Sequence, residues 1–94
     1  MRMHNPSHPG EILSEFWLTP LGLSIHETAT RLNVSDNSVV ELVNGKMGIS
    51  PEMALRLELA FGKGAESWLA HQAAFDLWQL EFSREQLGVI RVAA

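Results

Sequence analysis

The sequence predicts an all-α domain of five helices. Apolar residues recur at helical spacing in five stretches, each bounded by helix start and stop residues. Only Val89-Ile90-Arg91-Val92 alternates in the manner of a strand, and a lone strand cannot build a sheet within one chain. The length, 94 residues, amounts to a single domain over 1–94. Helices are expected over residues 9–18, 24–32, 36–44, 51–61 and 65–82, followed by a tail over 83–94.

Each element has its own signals. Pro9-Gly10 opens the first helix, because proline loses nothing at a position whose N–H would be orphaned. Ile12, Leu13, Phe16 and Trp17 follow at helical spacing, and Thr19-Pro20-Leu21-Gly22 is the expected stop. Ser24-Ile25-His26-Glu27 reads as a capping box for the second helix, which carries Ile25, Ala29 and Leu32 on one face. Asn33 is its left-handed terminator. Ser35 caps the third helix, with Val39, Leu42 and Val43 inward and Asn44-Gly45 at its end. Ser50-Pro51-Glu52 starts the fourth, whose stripe is Met53, Ala54, Leu57, Ala60 and Phe61. Gly62 and Gly64 separate it from the fifth. Ser83-Arg84-Glu85-Gln86 has the pattern of one more capping box, and Val89–Val92 is either a short strand or a frayed tail.

Composition narrows the function classes. Seven Lys and Arg against eleven Asp and Glu leave a net charge of −4, which excludes a non-specific nucleic-acid coat and a polybasic membrane binder. The acids are spread along the chain, so no segment forms a basic patch. Sequence-specific DNA binding needs a local footprint rather than a global charge, and stays open. Hydrophobic residues make up 46% and charged residues only 19%, leaving apolar surface for a partner. There are no cysteines, so disulfides, thiolate metal sites and cysteine nucleophiles are excluded. The opening residues lack the apolar run of a signal peptide, and no stretch approaches the ~18 apolar residues of a membrane span. The expected location is the cytoplasm.

The second and third helices, joined through Asn33-Val34-Ser35, have helix-turn-helix spacing. Two short helices that cross steeply need a small residue at the crossing, here Ala29. They need a residue tolerant of positive φ at the turn, here Asn33, and an aliphatic that plugs back, here Val39. With Val39 inward, the 100° rotation per residue turns Asn37, Glu41 and Asn44 outward, flanked by Asp36 and Val40 on one side and Ser38 on the other. Asn37 suits adenine, Glu41 accepts from cytosine, and the Ser35 and Ser38 hydroxyls suit phosphate or base edges. Lys46 follows as a phosphate contact. The candidate DNA-binding set is Ser35, Asn37, Ser38, Glu41, Asn44 and Lys46. Across 24–46 the acids Glu27, Asp36 and Glu41 outnumber Arg31 and Lys46, so a monomer is a weak DNA binder and two copies on a palindromic site are required.

The fifth helix carries two nearly opposite apolar stripes: Trp68, Phe75, Trp78 and Phe82 on one, Leu69, Ala73, Leu77 and Leu80 on the other. Either the chain's own helices wrap both stripes, or one stripe faces its core and the other a partner. The aromatic stripe, Trp68, Phe75, Trp78 and Phe82, is the expected homodimer contact. The histidines have no ligand spacing and no nucleophile–base pair stands out, so neither a metal, a cofactor, a small-molecule substrate nor an enzymatic reaction is expected.

The stretch from His8 to Glu81 resembles the HigA-type antitoxins of bacterial toxin–antitoxin modules. The resemblance rests on His8-Pro9-Gly10-Glu11-Ile12-Leu13, Pro20-Leu21-Gly22-Leu23-Ser24 and Asn44-Gly45-Lys46. It continues through Ile49-Ser50-Pro51-Glu52-Met53-Ala54-Leu55-Arg56-Leu57 and Gln72-Ala73-Ala74-Phe75-Asp76-Leu77-Trp78. It implies a five-helix, lambda-repressor-like helix-turn-helix domain that dimerises. It further implies binding to operator DNA, repression of its own operon and neutralisation of a small basic HigB-type mRNA endonuclease. An acidic antidote suits a basic toxin. Members of the family often carry Arg where this chain has Asp36. The alternative is a protein–protein module or stand-alone transcriptional regulator of the same fold, with DNA binding reduced or lost.

Overall fold

The computed structural model describes residues 5–93. Helix α1 covers residues 9–21 in three registers: α-helical over Pro9–Leu13, π-helical over Ser14–Leu18, α-helical again over Thr19–Leu21. In an unbroken α-register Pro20 would lack a donor for the Phe16 carbonyl and press its ring against it. The wider turn, in which the Thr19 N–H donates to the Ser14 carbonyl, accommodates the ring. The helix therefore runs past the expected stop at residue 18. It ends at Gly22, whose φ of +66° needs no Cβ.

Helices α2 (Ile25–Leu32), α3 (Asp36–Val43), α4 (Pro51–Phe61) and α5 (Ala65–Leu80) follow. Ser24, Ser35 and Ser50 each accept a hydrogen bond from the third helical N–H, as their sequence positions require. Helix α5 has no capping side chain of its own. The Glu58 carboxylate reaches over from α4 and accepts from the Ala65 N–H at 2.8 Å, placing a negative charge at a positive helix end.

The core gathers Leu13, Leu18, Ala29, Leu32, Val39, Leu42, Ile49, Met53, Ala54, Leu57 and Trp68. Every helix contributes to it, so the helix-turn-helix pair is one wall of a shared interior. Gly10 is where α1 meets α3. A Cβ there would lie 1.7 Å from the Leu42 carbonyl oxygen, so no larger residue fits without moving backbone.

The C-terminal region departs from expectation. Helix α5 ends at Leu80 rather than 82 and tightens into a 3₁₀ turn over Glu81–Leu87. Ser83 lies inside that turn instead of capping a new helix. Gly88 ends it at φ +66°, and residues 88–93 are irregular. Among the described residues there is no strand, because Val89–Val92 has no neighbouring strand to pair with. No described helix is long and apolar enough to cross a membrane.

A candidate nucleic-acid interface on the third helix

The geometry begins at the turn between α2 and α3. Asn33 takes the left-handed conformation, φ 56° and ψ 49°. The Val34 N–H donates to the Ala29 carbonyl and the Asn33 N–H to the Thr30 carbonyl, which closes the end of α2 in a Schellman motif. Arg56 of α4 donates to the Leu32 and Asn33 carbonyls at 2.9 and 3.3 Å and to the Glu52 carboxylate at 3.0 Å. The turn is thus held by a half-buried cation whose guanidinium is engaged by backbone carbonyls and by Glu52. Arg56 was not among the expected functional residues. Its signal is tertiary, since 23 residues separate it from Asn33.

Ala29, Val39 and Leu42 are buried, as the helix-turn-helix spacing demands. The outer face of α3 carries the candidate residues. Ser35, Asn37 and Asn44 are exposed, while Ser38 and Glu41 are half-buried. The Ser35 hydroxyl accepts from the Ser38 N–H at 3.1 Å and shares a hydrogen bond with the Ser38 hydroxyl at 2.9 Å. The Asn37 amide donates to the Glu41 carboxylate at 2.8 Å. Ser35, Asn37, Ser38 and Glu41 therefore form one patch over the first two turns of α3. Asn44 stands a turn further on as the C-cap. Lys46 lies beyond the helix end, where its N–H donates to the Glu41 carbonyl and Gly45 adopts φ +71°.

An acid, Asp36, flanks this patch. Asp36 is paired: His26 of α2 brings Nδ1 to 3.1 Å from both carboxylate oxygens. A carboxylate only accepts, so Nδ1 carries the proton in this contact. The acid thus sits against a donor from the preceding helix. Helix spacing within α3 alone could not reveal that pairing.

The loop after α3 is anchored from two sides. His8 caps α1, its Nδ1 accepting from the Gly10 N–H at 2.9 Å, and it stacks edge-on against Phe75 at 4.9 Å. Gln72 of α5 accepts from the Ile49 N–H at 2.8 Å and donates to Asp76 at 2.9 Å. These groups line a cleft of about 450 Å³ with Lys46 on its rim. Burial holds the His8 imidazole below its ordinary value, against the opposing pull of Asp76 and Glu11.

The expected dimer set does not survive as a unit. Trp68 is wholly buried in the protomer's own core and cannot meet a second chain. Its place in the apolar stripe was right, but core packing takes the N-terminal end of that stripe. Phe75 is half-buried against His8, and Trp78 is half-buried with Phe82 edge-on at 6.0 Å. Phe82 is 82% exposed. On the opposite stripe Leu77 and Leu80 are exposed too.

A helix-turn-helix family model matches residues 17–68, from the end of α1 into α5. Virulence-associated protein I of Dichelobacter nodosus is 45% identical over 88% of this chain and 77% of its own. YbaQ of Escherichia coli K12, described as an uncharacterized HTH-type transcriptional regulator, is 42% identical over 95% and 81%. Antitoxin HigA-1 of Vibrio cholerae is 37% identical over 78% and 69%. The chain belongs to the HigA-type helix-turn-helix family. Among solved structures, Pseudomonas aeruginosa antitoxin HigA with the higBA promoter superposes with a TM-score of 0.87 at 32% identity, covering 96% of this chain and 100% of that one. Antitoxin GraA in complex with its operator gives 0.86 at 35% identity, covering 100% and 99%. In this HigA-type chain the α3 patch and its supports, His8, Gly10 and Arg56, come from three helices, α1, α3 and α4, and from the N-caps His8 and Ser35.

Proposed function

We propose that this protein is a homodimeric repressor of its own operon and the antidote to a HigB-type mRNA endonuclease encoded beside it. The observation that carries the reading is the α2–α3 unit itself. Its turn is closed by Asn33 and braced by Arg56, and its outer face presents Ser35, Asn37, Ser38 and Glu41. Solved neighbours that match nearly the whole of this chain are in complex with operator or promoter DNA. With two cations and three acids across 24–46, one protomer supplies few phosphate contacts, so two half-sites must act together. The contact between protomers in this reading lies at the C-terminal end of α5. There Leu77, Leu80, Arg84 and Leu87 line an apolar groove of about 290 Å³, with Phe82 exposed nearby.

A mobility shift with the chain's own upstream DNA, at low and moderate salt, tests the repressor half. A retarded band that weakens as salt rises supports it, and no band at low salt overturns it. Co-purification with the product of the adjacent reading frame, and relief of that product's growth arrest, test the antidote half. DNA binding without relief would favour a stand-alone regulator; the relative YbaQ is described as an HTH-type transcriptional regulator.

A further inference from the structure

The first two turns of α3 hold a carboxylate, Glu41, and an amide of fixed orientation, Asn37. The Asn37 amide donates to Glu41, and a carboxylate cannot donate back, so the amide orientation is fixed. A flipped amide would bring two acceptor oxygens to 2.8 Å. Asn37 Oδ1 therefore takes no part in that contact and keeps its acceptor capacity. The Ser35 and Ser38 hydroxyls bond each other, Asp36 is an acceptor, and Val40, 38% exposed on the same flank, has no polar group. The Asn37 amide keeps its second N–H, which suits adenine N7 beside the N6 amino group, and one serine hydroxyl keeps its proton, while Asn44 and Lys46 come at and beyond the end of the helix.

Base edges in the major groove complement such a surface unequally. Adenine N6 and cytosine N4 offer an amino hydrogen. Guanine O6 and N7 and thymine O4 offer acceptors, which a carboxylate repels. On the repressor reading, from which this step follows, we infer that the Asn37–Glu41 pair selects strands presenting adenine or cytosine to α3, and that methylation of their amino groups switches binding off. The chemistry is direct. Base pairing uses one amino hydrogen and the groove displays the other. N6-methyladenine and N4-methylcytosine replace the displayed hydrogen with a methyl group and leave the pair intact.

The test selects duplexes from a random pool with the full-length chain at low salt. The enriched duplex is then remade with N6-methyladenine for adenine or N4-methylcytosine for cytosine. The expected result is a half-site whose affinity falls about ten-fold or more when one of these bases is substituted. Glu41→Gln, which adds an amide donor, should tolerate guanine at the sensitive position. Enriched sites that bind equally well in both methylated forms overturn this inference and leave the repressor reading standing. A pool from which nothing is enriched overturns the repressor reading and this inference together.

Discussion

His8 shows how one side chain joins local and tertiary demands. It caps α1 through Nδ1, and it is buried against Phe75 beside the loop that follows α3. Both roles require the neutral ring, because a protonated Nδ1 cannot accept and a buried cation is desolvated. With its value lowered in the folded state, His8 contributes stability that is complete above the unfolded value of about 6.5. That contribution is lost as pH falls below it, because the unfolded chain then binds the proton more readily. His71, also lowered, first by burial and then by Lys63, adds a term of the same sign. Urea midpoints should therefore fall from pH 7.5 to pH 5.5. His8→Asn, which keeps a capping oxygen but does not titrate, should shrink that fall; an unchanged pH profile would remove His8 from the account.

At the scale of elements, the α2–α3 turn is the critical joint. Its left-handed residue costs an ordinary L-residue about 1–2 kcal/mol, less for asparagine. Asn33→Gly should match or exceed the parent in stability, whereas Asn33→Ala should lose about 1 kcal/mol by thermal or urea melting. Equal stability of the two variants would show that Arg56, which holds the carbonyls of Leu32 and Asn33, dominates the turn. The seating of α5 against α4 and the loop after α3 matters as much. Gln72 and Glu58 each accept from a backbone N–H that helix and loop geometry leave open. Both are polar residues whose partners lie 23 and 7 positions away, and their importance is invisible in helical periodicity.

The whole molecule is elongated, 51 × 21 × 20 Å, with apolar residues along its C-terminal end. Leu77, Leu80, Phe82 and Leu87 stay exposed because the irregular tail does not fold back over them. An apolar end of this kind on a protein with few charges fits contact with a second copy. Leu80→Asp should shift sedimentation from dimer to monomer while the helical circular dichroism signal is retained. Trp68→Ala should instead destabilise the fold by about 3–5 kcal/mol, as for any fully buried tryptophan. A dimer unaffected by Leu80→Asp would place the contact elsewhere.

Much of the fold was legible in the chain by itself. Ser24, Ser35 and Ser50 cap the helices they were expected to cap, Asn33 turns left-handed, and Ala29, Val39 and Leu42 are buried. These features depend on residues within a few positions of one another, where backbone hydrogen bonding and helical rotation leave few alternatives. The candidate patch on α3 was legible for the same reason. Tertiary structure decided the rest. Which part of α5 enters the core depends on what the other helices bring against it: Trp68 is buried with Leu69 packed against the same core, whereas Leu77, Leu80 and Phe82 further along are exposed. The π-helical turn that carries α1 past Pro20, the Arg56 brace and the His26–Asp36 contact depend on geometry that one helix's pattern cannot encode. The hydrogen-bonding character of the candidate α3 surface belongs to both levels. Asn37 and Glu41 are one helical turn apart in the chain, but packing of α3 determines that their shared face is turned outward.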